Sequence, residues 1–311
     1  MPAGLQVALD ELREIRGTAM QLGMLPADVV SALFPGAYRA VFHGRGIEFD
    51  EARDYQWGDD YRTIDWRVTA RTGQMHTKLF REERERALYL LLDVGATMQF
   101  GSRVQLKWVL GARLAALFAW LSLASGNRVG AIIYGDSAEP RLLSPAAGEA
   151  GVMRLLNLLA SLRPTAHAPR AGLSDALLLL QQRVRPGALI LLLSDFIGLD
   201  QTSKRHLPQL SRRCDLAAVR LYDPIERELP PPGLYPITDG ENVSLLDTRS
   251  STLRRRHRQL FAARGMELRT LCNHYQARLL SIATDQPLVE SVREALIPLL
   301  SKRVRHPWRT G

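Results

Sequence analysis

Apolar positions along this chain fall into two kinds of segment, short continuous runs and longer stretches with helical spacing. The runs Ala87 to Asp93 and Ala188 to Ser194 are almost wholly apolar, which is typical of strands covered on both faces of a sheet. Residues Leu5 to Leu22 instead carry apolar side chains three and four positions apart, as an amphipathic helix does. Because strand-like and helix-length segments alternate over most of the chain, the pattern predicts crossover connections and a mostly parallel sheet.

The predicted elements form an α/β fold with a doubly wound, mostly parallel six-stranded sheet. Arg128 to Tyr134 and Ala138 to Leu143, joined by a turn at Gly135, predict a hairpin that adds one antiparallel edge strand. A long helix, Ser251 to Tyr275, is expected to break near Gly265. The other four strands of the sheet are predicted at Ala87 to Asp93, Ala188 to Ser194, Asp215 to Tyr222 and Arg278 to Ala283. Further helices are predicted at Arg103 to Ser125, Glu149 to Leu162, Leu173 to Val184, Thr202 to Arg212 and Leu288 to Lys302.

We divide the chain into an N-terminal region, residues 1–87, and an α/β domain, residues 88–311. The N-terminal region contains a short predicted strand, Thr77 to Phe80, and a charged, aromatic segment that is expected to pack against the sheet. The chain of 311 residues is long enough for one large domain or two ordinary ones.

Composition indicates a protein of the cytoplasm with an acidic partner. No apolar run reaches the roughly 18 to 20 residues that span a bilayer, and the richest candidate, Leu114 to Ala124, is shorter. Only two cysteines are present, Cys214 and Cys272, which is too few for a disulfide framework and fits a reducing compartment. The net charge of +9 favours an acidic protein surface, a nucleic acid or an anionic membrane face as partner.

The basic residues are concentrated in two clusters. We interpret the clusters as a solvated helix face and a frayed tail, because neither has the interleaved aromatic residues that stack on bases. Nucleic acid is therefore not an expected partner, although the first cluster keeps a nucleic-acid-binding function open. The clusters are Arg254, Arg255, Arg256, His257 and Arg258, and Lys302, Arg303, Arg305, His306 and Arg309.

The segment Gly44 to Trp66 interleaves charges of both signs with aromatic residues. Aromatic side chains bury area, and charges beside them must then pair with one another or face a partner. Two interpretations stay open: ion pairs that fasten the N-terminal region to the sheet, or a docking surface or ligand pocket. The residues that would form the binding surface are Arg45, Glu48, Arg53, Asp59, Asp60, Arg62, Asp65, Trp66 and Arg71.

This segment carries a family resemblance. The order R-G-x-E-F-x-x-x-R-x-Y-x-x-G-D-D-x-R-x-I-D-W, followed by A-R-T, F-R-E-E and a strand with D-x-x-x-x-M, resembles the domain-of-unknown-function family number fifty-eight. The match runs from about Gly44 to Gly135, with a weaker similarity towards the C-terminus. The resemblance implies a domain similar to von Willebrand factor type A domains, from about Leu88 to Arg303. It also implies a MoxR-type AAA+ ATPase, or other type A-domain proteins, as partners.

Type A domains bind Mg²⁺ through a D-x-S-x-S loop after the first strand, a threonine in a second loop and an aspartate after the fourth strand. The resemblance places Gly95 at the first serine and Leu173 at the threonine, or Ser174 with a shift of one residue. Because Mg²⁺ requires six oxygen ligands in octahedral geometry, we predict a degenerate site with weak or absent Mg²⁺ binding and no other cofactor. Alternatively, the carboxylates at these positions cap helices or pair with arginines. The remaining metal ligands would be Asp93, Thr97 and Asp195.

The leading functional prediction is a non-enzymatic protein-interaction module, an adaptor for the AAA+ ATPase in a chaperone-like or assembly role. The first alternative is a metal-dependent hydrolase that uses Asp59, Asp60 and Asp65. The second is a nucleic-acid-binding protein that uses Arg254 to Arg258.

The carboxyl edge of the sheet is the predicted docking site, since ligands of parallel α/β proteins bind there. We expect Arg103 and Arg128 to lie near this edge and to make association sensitive to salt, more so than Arg255. The Pro-rich segment Leu229 to Pro236 is the alternative docking site.

Overall fold

The computed structural model describes residues 4–20, 26–34, 47–55, 61, 64–82, 85–164, 171–238 and 242–301. In chain order its strands are β1 (Ile47–Asp54), β2 (His76–Glu82), β3 (Ala87–Asp93), β4 (Arg128–Tyr134), β5 (Arg141–Ala146), β6 (Leu189–Ser194), β7 (Asp215–Tyr222), β8 (Leu234–Thr238), β9 (Val243–Asp247) and β10 (Arg278–Ala283). Its α-helices are α1 (Leu9–Met20), α2 (Pro26–Leu33), α3 (Trp66–Thr72), α4 (Lys107–Ala124), α5 (Gly148–Ser161), α6 (Leu173–Arg183), α7 (Gln201–Arg213), α8 (Pro224–Arg227), α9 (Ser251–His274) and α10 (Leu288–Ser301).

The chain divides into two compact units. One combines Met1–Gly36 with Arg86–Gly311, and the other is Ala37–Glu85. This division differs from the predicted one, because α1 and α2 belong to the larger unit with the sheet. The indole nitrogen of Trp120 in α4 donates a hydrogen bond of 3.2 Å to the carbonyl of Leu12 in α1. The guanidinium of Arg16 lies 5.1 Å from the centre of the same indole ring.

The larger unit is built on a six-stranded, mostly parallel sheet with the order β10-β7-β6-β3-β4-β5. Of its strands only β5 is antiparallel to its neighbour, and it forms one edge, so the predicted α/β class and sheet are confirmed. The edge strand begins at Arg141, three residues later than expected. The turn before it is longer than two residues and contains a hydrogen bond of 2.7 Å from the Ser137 hydroxyl to the carbonyl of Glu139.

Both faces of the sheet are covered by helices. Tyr89 and Leu91 of β3 belong to a buried cluster with residues of α6 and α7. Leu92 points the other way, towards Gly111 of α4, where an added Cβ would lie 2.7 Å from its side chain. The alternation of side chains along a strand explains why β3 is apolar throughout.

Helix α4 corrects one expectation from the sequence. Its 18 residues, Lys107–Ala124, are long and apolar enough to cross a membrane by length and composition, and 83% of them are buried inside the protein. The expectation that no stretch reaches this length is therefore wrong. The core helix of a globular protein passes the same test, so the finding does not establish a membrane span.

The predicted break near Gly265 is also wrong, since α9 runs without interruption from Ser251 to His274. The glycine instead allows the side chain of Arg220 to approach the helix backbone closely. A Cβ at Gly265 would lie 2.6 Å from Nη1 of Arg220 on β7. A residue that lowers helix propensity is accepted here because any side chain would meet the guanidinium.

The smaller unit contains an antiparallel pair, β1 and β2, with a register shift between Phe49 and Glu51. Strand β2 confirms the prediction at Thr77 to Phe80, whereas β1 was not predicted. Its sequence IEFDEARD is dominated by charges, which hides the apolar alternation that identifies a strand.

Candidate functional site

The ends of parallel strands β3 and β6 bring Asp93 and Ser194 together at the carboxyl edge of the sheet. Asp93 is the last residue of β3, Ser194 is the last of β6, and Asp195 follows immediately. The hydroxyl of Ser194 donates to Oδ2 of Asp93 at 2.7 Å. We call this edge, with the loops that leave it, the rim.

Asp93 is held in place by several donors. The amide of Gly95 donates to its Oδ1 at 2.9 Å, and Ser194 binds the other oxygen. The pKa of Asp93 is raised to about 6, chiefly by burial and in part by the charge of Asp195, although hydrogen bonds from Gly95, Ser194 and Tyr134 act to lower it. Two glycines allow this loop to pack closely, since a Cβ at Gly135 would lie 2.5 Å from the amide nitrogen of Gly95.

Asp195 binds an ammonium group that comes from within the protein. Nζ of Lys107, the first residue of α4, lies 2.7 Å from Oδ2 of Asp195 and 2.7 Å from Oε1 of Glu226 in α8. The lysine side chain is fully buried. Oδ1 of Asp195 accepts from the amide of Ile197 at 3.0 Å. A buried charge requires such partners, because unpaired burial costs several kcal/mol.

Glu226 connects Lys107 to a second buried carboxylate. Its other oxygen accepts from the amide of Asp223 at 2.8 Å, as part of a capping box at the start of α8. Asp223 is itself fully buried and accepts from Ser102 and Thr284 at 2.5 and 2.6 Å. Burial raises the pKa of Asp223, but these hydrogen bonds outweigh it and the net shift is downward. The rim is thus a connected polar network.

The residues present do not fit a Mg²⁺ ion. Asp195 is occupied by the Lys107 ammonium, Thr97 is exposed, and Gly95 contributes an amide rather than an oxygen. Leu173 is buried in the core between sheet and helices. The described part of the chain contains no group of three or more His, Cys, Asp or Glu side chains placed to hold a metal. A cation already lies within this network, and it is the lysine.

Ser174, the alternative for the threonine ligand, lies elsewhere: its hydroxyl is 3.5 Å from Nε2 of His206. Sequence reasoning missed the residues that complete the rim, Lys107, Ser194 and Glu226. The sequence contained one signal for the lysine. Lys107 opens the run KWVLGARLAALFAWL, in which Arg113 is the other charged residue and most of the rest are apolar. Its partners Asp195 and Glu226 are distant in the sequence, and only the fold brings them close to the lysine.

The residues predicted to form the charged aromatic surface are only partly described. Asp65 is buried and caps α3, accepting from the amides of Arg67 and Val68 at 3.0 and 3.2 Å. Trp66 and Arg71 are exposed on α3. Glu48 and Arg53 lie on β1, where only the backbone of these two residues is described. The remaining four, Arg45, Asp59, Asp60 and Arg62, lie outside the described residues.

The two arginines expected at the rim are found at opposite ends of the sheet. Arg103 follows β3 and lies 3.7 Å from Asp285 in the loop after β10. Arg128 is the first residue of β4 and is in register with Ala87. It therefore lies at the amino edge, and its predicted place near the rim is wrong. The prediction for Arg128 failed because the two ends of a strand lie at opposite edges of the sheet, and Arg128 is at the start of β4.

The first basic cluster lies on α9, and three of its five side chains contact neighbouring loops. Arg254 donates to the carbonyl of Thr248 at 2.6 Å, and His257 lies 2.9 Å from the carbonyl of Ile225. Arg258 pairs with Glu228 at 3.7 Å. Arg255, Arg256 and Arg258 are exposed, which fits the interpretation of a solvated helix face. The second cluster lies outside the described residues.

Apolar side chains are exposed in the loops around the rim. Phe100 and Val104, between β3 and α4, are 39% and 54% exposed, and Ile197, after β6, is 46% exposed. Exposed apolar groups beside polar ones are typical of the surfaces that other proteins bind.

Comparison with known proteins gives a family without an assigned activity. A model described as "Protein of unknown function DUF58" matches residues 51–269. Uncharacterised proteins of Mycobacterium bovis and Mycobacterium tuberculosis are 30% identical over 253 residues, which cover 81% of this chain and 79% of each relative.

Three solved structures are similar at low scores. A conserved hypothetical protein, BatB, of Bacteroides thetaiotaomicron has 11% identity and a TM-score of 0.40, and covers 70% of this chain and 99% of its own. An aerotolerance-related membrane protein of Bacteroides fragilis, with the same coverage, has 16% identity and a TM-score of 0.39. An uncharacterised membrane-spanning protein of Vibrio fischeri, again with that coverage, has 12% identity and a TM-score of 0.23.

The expected cytoplasmic location is contradicted by these descriptions, two of which are of membrane proteins, and we withdraw it. The descriptions are of other proteins, so no membrane location is assigned to this chain in its place.

Proposed function

Given that the chain belongs to the family of proteins of unknown function DUF58, we propose that it is a non-enzymatic protein-interaction module. Its partner in this proposal is a MoxR-type AAA+ ATPase, for which it acts as an adaptor. The proposal includes a type A-like assignment of the larger unit. The strand order β10-β7-β6-β3-β4-β5 with one antiparallel edge strand supports that assignment. The choice of ATPase rests on analogy within the family.

The observation that carries the proposal is the Lys107 ammonium between Asp195 and Glu226. Both carboxylates share its single positive charge and are engaged within the protein, which leaves them poorly placed to hold a catalytic metal. What the rim offers outwards is a rigid frame with apolar side chains around it. Such an arrangement suits binding of a protein surface, where apolar anchors within a polar surround supply most of the affinity.

The test is association with the MoxR-type ATPase of the same organism, measured by biolayer interferometry and by the rate of ATP hydrolysis. We expect Ile197→Asp and Val104→Asp each to weaken binding at least tenfold, which is about 1.4 kcal/mol. The matched control is Leu178→Asp in α6, because Leu178 is similarly exposed, at 44%, but lies in a helix away from the rim loops.

Binding should also weaken as salt rises, since the chain carries a charge of +9. A complex that tolerates both rim substitutions as well as it tolerates Leu178→Asp would contradict docking at the rim. An ATPase whose binding and hydrolysis do not respond to the protein at all would contradict the partnership itself.

A further inference from the structure

A cleft that shares Asp195, Ile197 and Glu226 with the rim has further features that the proposed function does not use. A cavity of about 400 Å³ opens between the carboxyl ends of β6 and β7 and one face of α9. This volume lies within the range of ligand pockets. We call it the Arg220 cleft, and the residues of its lining that matter here are Arg220, Tyr222, Glu226, His257, Phe261 and Arg264.

Arg220 is a buried cation without a carboxylate partner. It is 9% exposed on the central part of the sheet, and no carboxylate in the described chain forms an ion pair with it. Its guanidinium carbon lies 4.0 Å from the centre of the Phe261 ring. Among the described residues it makes one hydrogen bond, a long one of 3.5 Å from Nη2 to the carbonyl of Phe261. Burial lowers the pKa of Arg220, although the charge of Glu226 raises it in part.

The position of this guanidinium is fixed by the elements around it. Ala218, two residues earlier on the same face of β7, packs against Leu268 and Cys272 of α9. Gly265 then leaves room for Nη1, since its Cβ would lie only 2.6 Å away. The ring of Phe261, one turn earlier in α9, also packs against the guanidinium. Donors held in this way need little further ordering when they bind an anion.

The acidic side chains that line the cleft are already paired. Asp195 and Glu226 bind Lys107, and Glu267 binds Lys204 at 2.7 Å. A second arginine, Arg264, also lines the cleft and its charge acts on Arg220. Asp195 and Glu226 share the one charge of Lys107, so the four cations Lys107, Lys204, Arg220 and Arg264 face three carboxylates and the cleft keeps an excess of one positive charge.

We propose that the Arg220 cleft binds a carboxylate of an acidic peptide segment. A planar carboxylate matches the paired donors of a guanidinium. The carboxylates of the lining make a singly charged group easier to accommodate than a phosphate dianion. The apolar lining, with Phe261, Leu260 and Ile197, suits side chains next to the acidic one. The inference does not depend on the ATPase, because it concerns the chemistry of the ligand alone.

The experiment measures fluorescence anisotropy of a fluorescein-labelled peptide of alternating Leu and Glu residues, with the full chain at constant ionic strength. The same peptide with Gln for Glu is the ligand control. We expect the Glu peptide to bind at least tenfold more tightly, and Arg220→Met to remove that difference. Arg255→Met is the protein control, because Arg255 is exposed on the same helix and does not line the cleft.

Two further measurements separate a binding role from a structural one. Arg220→Met should melt at the same temperature as the wild type or higher, since it removes a buried charge that has no carboxylate partner. Gly265→Ala should also weaken binding of the Glu peptide, because its methyl group displaces the guanidinium.

Equal binding of the Glu and Gln peptides would overturn the proposal. So would Glu-peptide binding that is unchanged in both Arg220→Met and Gly265→Ala. Arg220-dependent binding of inorganic phosphate, measured by calorimetry without discrimination between the two peptides, would overturn it in favour of a phosphate site.

Discussion

A single side chain, Lys107, decides what the rim can do. Moving an ammonium from water into a protein interior is costly, and two carboxylates at 2.7 Å offset that cost. Asp195 follows β6, Glu226 lies in α8, and the lysine opens α4. The ammonium therefore ties three separate elements together at one point. A metal ion in a related site would do the same, but it could be removed by a chelator, whereas the lysine is part of the chain.

The first prediction concerns this lysine. We expect Lys107→Met to lower the free energy of unfolding by about 3–5 kcal/mol, because it leaves two carboxylates near each other in a buried site. Urea denaturation measures the loss. The triple variant Lys107→Met, Asp195→Asn and Glu226→Gln should recover more than half of it, since no buried charge then lacks a partner.

The control for the lysine is Lys204→Met. Its ion pair with Glu267 is partly exposed, and such a pair contributes only about 0–1 kcal/mol. If Lys107→Met costs no more than Lys204→Met, the rim network does not stabilise the fold as described.

The second prediction concerns pH. The folded pKa of Asp93, about 6, is higher than the ordinary value of 3.8, so the folded state binds this proton more tightly than the unfolded one. The contribution of Asp93 to stability is therefore greatest below pH 3.8, falls as pH rises towards 6, and is lost above that. The full change is about 3 kcal/mol.

Unfolding free energies measured between pH 4 and pH 7 test this. The difference in stability between wild type and Asp93→Asn should shift in favour of the variant as pH rises. Asp200→Asn is the control: the pKa of Asp200 is lowered by its hydrogen bonds with Ser203 at the start of α7, so its contribution is lost only below pH 3.8 and its difference from wild type should change little in this range. A pH-independent difference for Asp93→Asn would contradict the raised pKa.

At the scale of elements, glycines and caps set where helices begin and how closely they pack. Gly265 shows how a residue that disfavours helix can lie inside one when a neighbouring strand supplies a large side chain at that position. Asp65 sets the start of a helix instead. It is the N-cap of α3, and its carboxylate accepts hydrogen bonds from two amides of the first turn.

The third prediction follows from that cap. Asp65→Ala should destabilise α3 by about 1 kcal/mol, because two amides of its first turn lose their acceptor. Hydrogen exchange of the α3 amides, followed by NMR, measures the local change. Arg67→Ala is the control, because its backbone amide keeps the bond to Asp65. Unchanged protection in Asp65→Ala would mean that packing, and not the cap, holds this helix.

At the scale of the whole molecule, the chain leaves the larger unit after residue 36 and returns to it at residue 86. Helices α1 and α2 are therefore part of the body that contains the sheet. Arg113 of α4 pairs with Glu11 of α1, and Leu12 is fully buried. Burial of apolar side chains of this kind contributes about 1.5–3 kcal/mol each.

The fourth prediction tests this arrangement. With specific protease sites inserted after Gly36 and before Arg86, cleavage at both should leave residues 1–36 bound to residues 86–311 during size-exclusion chromatography. Chains with one site alone are the controls for cleavage and elution. Separation of the N-terminal fragment without denaturant would contradict the division into these two units.

The apolar runs of β3 and β6 and the helical spacing between them were sufficient to predict the α/β class, the six strands and the single antiparallel edge strand. These features depend on the period of apolar residues, which is local and can be read directly from the sequence. The motif around Gly44 to Trp66 was sufficient for the family, because its residues are contiguous in the chain. Asp93 and Asp195 could be predicted at one edge of the sheet, since parallel strands end together.

The tertiary structure alone decided what surrounds those two carboxylates. Lys107 lies 88 residues from Asp195 and 119 from Glu226 in the chain, and no local pattern indicates that three such residues meet. The same holds for Arg220, which forms no ion pair with a carboxylate of the described residues and packs against Phe261 and Gly265 of a distant helix. Secondary structure follows from neighbours in sequence, whereas the pairing of a buried charge depends on every element that folds against it.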